Sequence, residues 1–274
     1  MSLPSATHQH VREALHRDGY AVIKQAVNPI TAMRLSDMVY MHLNVYRGSF
    51  RAATGVDLDD AQAVSKYVAA LHDGESRYAA LDKDVQHLLR GEFPLVFRLG
   101  EEFRAIASQR ALIAALQAVL AKVNLRMHYP PMIRFKQPGQ AQANVPMHQD
   151  CSYNAHLEEF VTAWLPLCEI TDACGGVDVL VGSHRDGALP HGRQVIWGNY
   201  VEEVGLQRFK RVHVTMALGD ALLFGPYTLH ASHANTSERP RCSIDCRFFS
   251  RLTASTKHYL DVATGRVITP ALAA

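Results

Sequence analysis

The sequence predicts a mainly β fold, a sandwich or barrel, with helices packed against it from the N-terminal side. Three observations carry that expectation. From about residue 126 onward, short apolar runs alternate with Gly, Pro and polar clusters, the texture of a β-sandwich or barrel. Before that point the apolar residues recur at helical spacing. No internal repeat and no low-complexity linker divides the two halves. One domain over 1–274 is expected, with a mostly helical part at 1–125 and a β core at 126–274.

In chain order, Val11 and Leu15 mark an amphipathic first helix, broken at Asp18-Gly19, and Tyr20 to Ile23 starts a strand. A second helix is expected from Pro29 to Val45, with Ile30, Met33, Leu35 and Met38 near helical spacing. "DAQAVSKYVAALH" and "SQRALIAALQAVLAKV" place apolar residues at i, i+3, i+4 and i+7, so both read as helices. The β segments are "LRMHYPPMIRF", "FVTAWLPL", "GGVDVLVGS", "KRVHVTMALGDALLFG" and "RCSIDCRFFS".

Composition narrows the function classes. The chain has 274 residues, 48% hydrophobic and 20% charged, enough to bury a sizeable core without staples. Its net charge of +2 is spread along the sequence, so no basic block marks a nucleic-acid surface. No apolar window is long enough to span a membrane, and the polar start lacks the hydrophobic stretch of a signal peptide. The five cysteines show no framework spacing and no CxxC. Together these point to a reduced, cytoplasmic, soluble protein, monomer or homodimer, whose partner is a small molecule.

The chemistry concentrates in two stretches. In "VPMHQDCSYNAH", His148 and Asp150 stand two apart, so in an extended strand they share a face and can reach one cation. Alone, the pair reads more readily as a surface histidine beside a solvated aspartate. A catalytic metal needs a third protein ligand, and "TLHASHANTSERPR" offers His230 and His233. Strand parity puts His230 and Ser232 on one face and His233 on the other. Two histidines and one carboxylate with open positions is the arrangement of non-haem Fe(II) oxygenases. After a turn at "NTSERP", a hairpin would bring Arg241 beside His230 and Ser232, where its fork of donors suits a carboxylate. Such a pocket fits a dicarboxylate keto acid held by the metal at one end and by Arg241 at the other. Cys151 faces away by parity.

The set His148-x-Asp150, His230-x-Ser232-x-x-Asn235-x-Ser237 and Arg241, eleven residues after His230, resembles the phytanoyl-CoA dioxygenase family of Fe(II)/2-oxoglutarate oxygenases. "DGYAVIKQAV", "HQDCSY", "VTAWLPLCEITDACGGVDVLVGSHRDG" and "GDALLFGPYTLHASHANTS" extend the likeness along the chain; it is thinnest over 45–125. The resemblance implies a double-stranded β-helix (jelly-roll) core. It implies Fe(II) on His148, Asp150 and His230, with 2-oxoglutarate and O2 as co-substrates and succinate and CO2 as products. Arg241 and Ser232 match the positions holding the 2-oxoglutarate tail, and Gln149, Trp164 and Asn235 match positions lining the pocket. Two departures stand out: His233 where the family often has a small residue, and Val181 where a proline usually precedes Gly182-Ser183-His184.

Other residues are read against plainer roles. Tyr153 and His156 follow the first ligands and either border the substrate or pack at the barrel mouth. Arg134 and Lys136 share a face; inward they imply an anionic substrate, outward only a solvated surface. His184 is read as structural, and His128 as facing solvent or substrate. The expected reaction is hydroxylation of a small, polar metabolite or natural-product intermediate, with 45–125 forming part of a substrate lid. Halogenation is disfavoured because Asp150 occupies the position a halide would need; desaturation, ring formation and epimerisation depend on substrate placement. A catalytically silent jelly-roll binding module and a zinc-dependent cupin-like isomerase are the competing readings.

Overall fold

The computed structural model describes residues 5–71, 75–121, 124–140, 144–157, 159–194, 198–250 and 257–270. Helix α1 (Ser5–Asp18) ends at Gly19, whose φ of +86° lets the chain turn directly into β1 (Tyr20–Ile23). A Cβ at Gly19 would lie 2.5 Å from His184 Nδ1. His184 also contacts His16 O through Nε2 at 3.0 Å, so it braces the helix end. Helix α2 (Pro29–Thr54) starts with Pro29 in its first turn and Asn28 accepting from Ile30 N, and it stops at Gly55, φ +71°. It runs nine residues past Val45, because Leu43 and Phe50 continue the buried face.

Shorter helices follow: α3 (Ala61–Leu71), α4 (Glu75–Ala80), α5 (Lys83–Leu89), α6 (Leu95–Arg98) and, after a 3-10 stretch at Glu101–Ser108, α7 (Arg110–Leu120). The helix expected to run on through Val123 ends at Leu120, and its last two positions lie outside the described residues.

The β region comprises β2 (Arg126–His128), β3 (Met132–Lys136), β4 (Phe160–Pro166), β5 (Val177–Leu180), β6 (Gly192–Gln194), β7 (Gly198–Tyr200), β8 (Arg211–Val214), β9 (Ala221–Phe224), β10 (His230–Ser232), β11 (Arg241–Phe249), β12 (Tyr259–Asp261) and β13 (Val267–Ile268). An 8-stranded antiparallel sheet runs β1-β9-β4-β11-β2-β12-β13, with β3 also paired to β11. A 3-stranded sheet, β10-β5-β8, faces it, making a jelly-roll. Helices cover the outer face of the large sheet.

Side-chain alternation shows how the layers assemble. On β11, Cys242, Ile244, Cys246 and Phe248 join the helical core containing Leu35, Val39, Leu112 and Leu116. The alternate residues Arg241, Ser243, Asp245 and Arg247 therefore point between the sheets. On β4 and β9, Ala163, Leu165 and Leu223 face the helices, while Trp164, Leu222 and Phe224 meet Val177, Val179 and Val214 of the small sheet. Both faces of the large sheet are thus covered, which explains why its strands read as near-continuous buried runs.

Two local expectations are corrected. β10 and β11 do not form a hairpin: β10 pairs with β5 in the small sheet, and β11 pairs with β3 and β4 in the large one. The link between them crosses the sandwich, and Arg241 faces His230 and Ser232 from the opposite sheet. The His148–Asp150 stretch is not a continuous strand. His148 forms a single antiparallel bridge to His230, Gln149 is extended, and Asp150 already begins a 3-10 turn. Among the described residues no helix is long and apolar enough to cross a membrane.

Candidate metal centre

His148, Asp150 and His230 come together between the two sheets with one ligand atom from each within 4.8 Å of the others, and all three are buried. The bridge His148–His230, with paired N–H···O bonds of 3.0 and 3.1 Å, sets the rings side by side at 4.1 Å between centroids. Each ring is aimed by a backbone carbonyl. His148 Nδ1 lies 2.8 Å from Pro146 O, and His230 Nδ1 lies 3.0 Å from Thr228 O. A carbonyl can only accept, so both rings carry the proton on Nδ1 and keep the Nε2 lone pair for a cation. Burial, with His230 beside it, pushes His148 down to about 3, and burial lowers His230 as well. Both imidazoles are therefore neutral at physiological pH, the form a metal requires.

Asp150 is held from two sides by residues that the spacing argument did not single out. Thr162 of β4 donates to Oδ2, and Arg247 of β11 donates to Oδ1 at 3.2 Å. Burial alone would raise the carboxyl. Arg247 foremost, with the nearby histidines and Thr162, overrides it and holds Asp150 below the usual carboxylate range. The signal for Arg247 was present in the sequence: it sits six residues after Arg241 in one strand, on the same face. Arg134 extends the network, donating to Asp245 Oδ2 at 3.2 Å and Glu92 Oε1 at 3.0 Å.

Beside the triad, a compartment is lined by Lys136, Trp164, Phe224, Ser232 and Arg241. Arg241 and Lys136 are cross-strand partners in β11 and β3, both nearly inaccessible to solvent. Arg241 donates to Gly175 O and Ser243 Oγ, each at 2.8 Å, and its guanidinium lies 5.6 Å from the Trp164 ring centre. Lys136 Nζ donates to Asn144 Oδ1, Ser232 Oγ and His233 O at 2.8, 2.7 and 2.6 Å. Among the described residues, no carboxylate pairs with either cation. Burial first, and then each other's charge in the case of Lys136, lowers the pKa of both. Two adjacent buried cations without an anion make a site fitted to a carboxylate ligand. Ser232 Oγ accepts from Lys136 and from Val145 N, which leaves its own proton to be donated.

A second, larger cavity of about 380 Å³ meets the first at His148, Asp150, Arg134 and Arg247. It is also lined by His87, Arg90 and Glu92 from the helical half, and by Tyr153, Arg193 and Lys257. Tyr153 packs edge-on to His148 and donates its hydroxyl to Asn199 O. Arg134 faces inward, spanning both cavities. His156 stacks on His128 with their Nε2 atoms 3.3 Å apart; it lines neither cavity, whereas burial pushes His128 down to about 3.

Two residues expected at the pocket wall are engaged elsewhere. Gln149 donates to Gly187 O and Tyr227 O and accepts from Leu189 N, tying three loops together. Asn235 donates to Lys136 O and Arg239 O and accepts from Ser237, so it staples the crossover between sheets. Neither lines either cavity.

Comparison with known proteins agrees with this arrangement. The phytanoyl-CoA dioxygenase (PhyH) family profile matches residues 15–243. A probable phytanoyl-CoA dioxygenase of Caenorhabditis elegans is 34% identical over 118 residues, 40% of this chain and 38% of that protein. The peroxisomal phytanoyl-CoA dioxygenase of Homo sapiens is 29% identical over 152 residues, 53% of this chain and 42% of that protein. The match thus covers about two fifths of the length of these relatives. Among solved structures, the epimerase SnoN in complex with Fe3+, alpha ketoglutarate and nogalamycin RO superposes with a TM-score of 0.60 at 17% identity. That superposition covers 90% of this chain and 85% of SnoN, a likeness of fold. With a jelly-roll that gathers two histidines and an aspartate and a family profile spanning most of its length, the chain belongs to the phytanoyl-CoA dioxygenase (PhyH) family of Fe(II)/2-oxoglutarate oxygenases.

Proposed function

We propose that this chain is an Fe(II)/2-oxoglutarate-dependent oxygenase that hydroxylates a small, polar, negatively charged metabolite. One observation carries the reading. The His148/Asp150/His230 cluster stands where two cavities meet, and one of them holds two buried cations that lack a counter-anion among the described residues. When bound, Fe(II) with 2-oxoglutarate and O2 supplies the oxidising power for C–H hydroxylation, with succinate and CO2 as co-products.

The chain's own residues position and shield. His148, Asp150 and His230 supply two neutral nitrogens and one negative oxygen to the metal. Arg247 and Thr162 keep the Asp150 oxygens aimed and ionised. Arg241 takes the far carboxylate of 2-oxoglutarate, Ser232 donates its remaining proton to the same group, and Lys136 fixes Ser232 and adds positive charge. Trp164 and Phe224 keep water from that compartment. The larger cavity receives the substrate, with Tyr153 against the His148 ring. Within it, Arg90, Arg134, Arg193, Arg247 and Lys257 outnumber Glu92 and Asp150, and this excess of positive charge favours an anionic substrate. The helical part contributes His87, Arg90 and Glu92 to the cavity wall, so residues 1–125 and 126–274 act as one domain with a helical lid.

Succinate release from 2-oxoglutarate, measured against carboxylated or phosphorylated small metabolites and their neutral analogues, tests the proposal. Stimulation by the anionic members is expected. Stimulation by neutral members alone would overturn the substrate class. Binding of 2-oxoglutarate without any succinate release would mean a silent binding module.

A further inference from the structure

On the outer side of the small sheet lies a second cluster of ligating groups, separate from the iron triad. Asp178 of β5 is buried; His213 of β8 and His233, just beyond β10, converge on it. His213 Nδ1 lies 2.9 Å from Asp178 Oδ1, His233 Nδ1 lies 3.2 Å from Oδ2, and the two ring centres are 4.6 Å apart. We propose that Asp178, His213 and His233 bind a divalent cation of the zinc class, which ties together the three strands of the sheet carrying His230 and Ser232.

The distances suit such an ion. Two ligands about 2.0–2.1 Å from a tetrahedral zinc sit roughly 3.3 Å apart, close to the separations between the carboxylate oxygens and the two ring nitrogens. His213 is also held as a metal ligand is held. Its Nε2 lies 3.2 Å from Thr171 O, a carbonyl that can only accept a proton from it. With the proton on Nε2, Nδ1 turns its lone pair toward the Asp178 carboxylate at 2.9 Å. Two acceptors that close can share one cation bound to both, lying off the line that joins them. Backbone shape supports the ring's place as well: a Cβ at Gly176 would lie 3.0 Å from His213 Cε1 and 2.5 Å from Ile170 Cγ2, so only glycine lets the ring approach. His233 N is fixed by Gly176 O at 2.9 Å. Asp178 offers both oxygens, and the half-exposed His233 ring leaves the site open to an incoming ion. The nearest competing cation, Arg211, is 4.0 Å from Oδ2. It is half-exposed and already bonds Glu203 at 3.2 Å, so it can withdraw. Through His233 O, which accepts from Lys136, occupancy of this site would steady the 2-oxoglutarate compartment from behind.

Zinc titration of the metal-stripped full chain, in competition with a chromogenic chelator, tests the proposal. Wild type should take up about two equivalents, and His230→Ala about one, because the iron triad also accepts zinc. His213→Gln and His233→Gln should each retain about one, with affinity at the outer site reduced by at least roughly tenfold. Zinc kept by their iron triad shows that these variants are folded. The double variant His213→Gln/His230→Ala should hold none tightly. A wild type that binds a single equivalent, or two equivalents surviving both His213→Gln and His233→Gln, would overturn the proposal.

Discussion

Asp150 accepts from Thr162 and Arg247 while lying beside two neutral imidazoles. Arg247→Met removes its only full positive partner within 4 Å among the described residues. Fe(II) affinity should then fall by roughly 10- to 100-fold, as it does when groups orienting a metal ligand are lost; equilibrium Fe(II) titration reads the change. Arg241 makes a different prediction. Truncating one partner of a buried hydrogen-bonded charge pair costs about 2–5 kcal/mol, or roughly 30-fold or more in affinity. Arg241→Met should therefore raise the 2-oxoglutarate concentration needed for succinate formation by at least that factor. It should also shrink the rise in melting temperature that 2-oxoglutarate is expected to give the wild type. At this scale the sequence was informative where spacing is rigid. His148, Asp150, His230, Ser232 and Arg241 were all named, and they meet. Arg247 and Thr162 were not: Thr162 is a single polar residue in an apolar run, and Arg247 reads as one more residue on a solvated strand face. Gln149 and Asn235 are polar and adjacent to the site in sequence, yet backbone groups of neighbouring loops consume their donors.

β11 concentrates the division of labour in one element. Arg241, Asp245 and Arg247 line the site, while Cys242, Ile244, Cys246 and Phe248 are fully buried against the helical core. Replacements on the two faces should separate cleanly. Ile244→Ala leaves a cavity in the helical core and should cost about 2–5 kcal/mol of unfolding free energy. Its 2-oxoglutarate affinity should be unchanged, as read by denaturant unfolding and co-substrate titration side by side. Arg241→Met should show the reverse. The alternation in "RCSIDCRFF" resembles a strand with one wet face, and only the second sheet reveals that the polar face is buried too. The same limit explains the missed crossover. "HANTSERP" has the polarity and length of a hairpin loop, and nothing local tells which sheet the next strand joins. The short β6–β7 pair, built from residues such as Gly192, Arg193, Asn199 and Tyr200, carries no apolar alternation to read.

Across the whole molecule, Glu92 joins the helical part to the β core. Its carboxylate takes His87 and Arg90 on one oxygen and Arg134, from β3, on the other. Burial would raise its pKa, but Arg134 foremost, with His87 and Arg90, holds it down to about 2 from an ordinary 4.5. A carboxyl depressed by folding contributes stability that is fully present above pH 4.5 and lost as pH falls toward 2, an effect of roughly 3 kcal/mol at most. Unfolding free energy measured from pH 6 to pH 3 should decline less steeply in Glu92→Gln than in wild type, although the variant starts lower because Arg134 loses its partner. The overall layout, helices first and a β core after residue 126, was readable because hydrophobic period changes there. The docking of the two halves through Glu92 was not, since a lone acidic residue in "RGEFP" looks like surface. The account's central claim is that one cluster binds the metal while the adjoining cations bind 2-oxoglutarate. Anaerobic titration of the Fe(II)-loaded chain with 2-oxoglutarate tests it directly. A saturable visible charge-transfer band should form in wild type, need far more 2-oxoglutarate in Arg241→Met, and vanish in His230→Ala. A wild type that forms no band at saturating 2-oxoglutarate, or a His230→Ala variant that keeps it intact, would contradict the account.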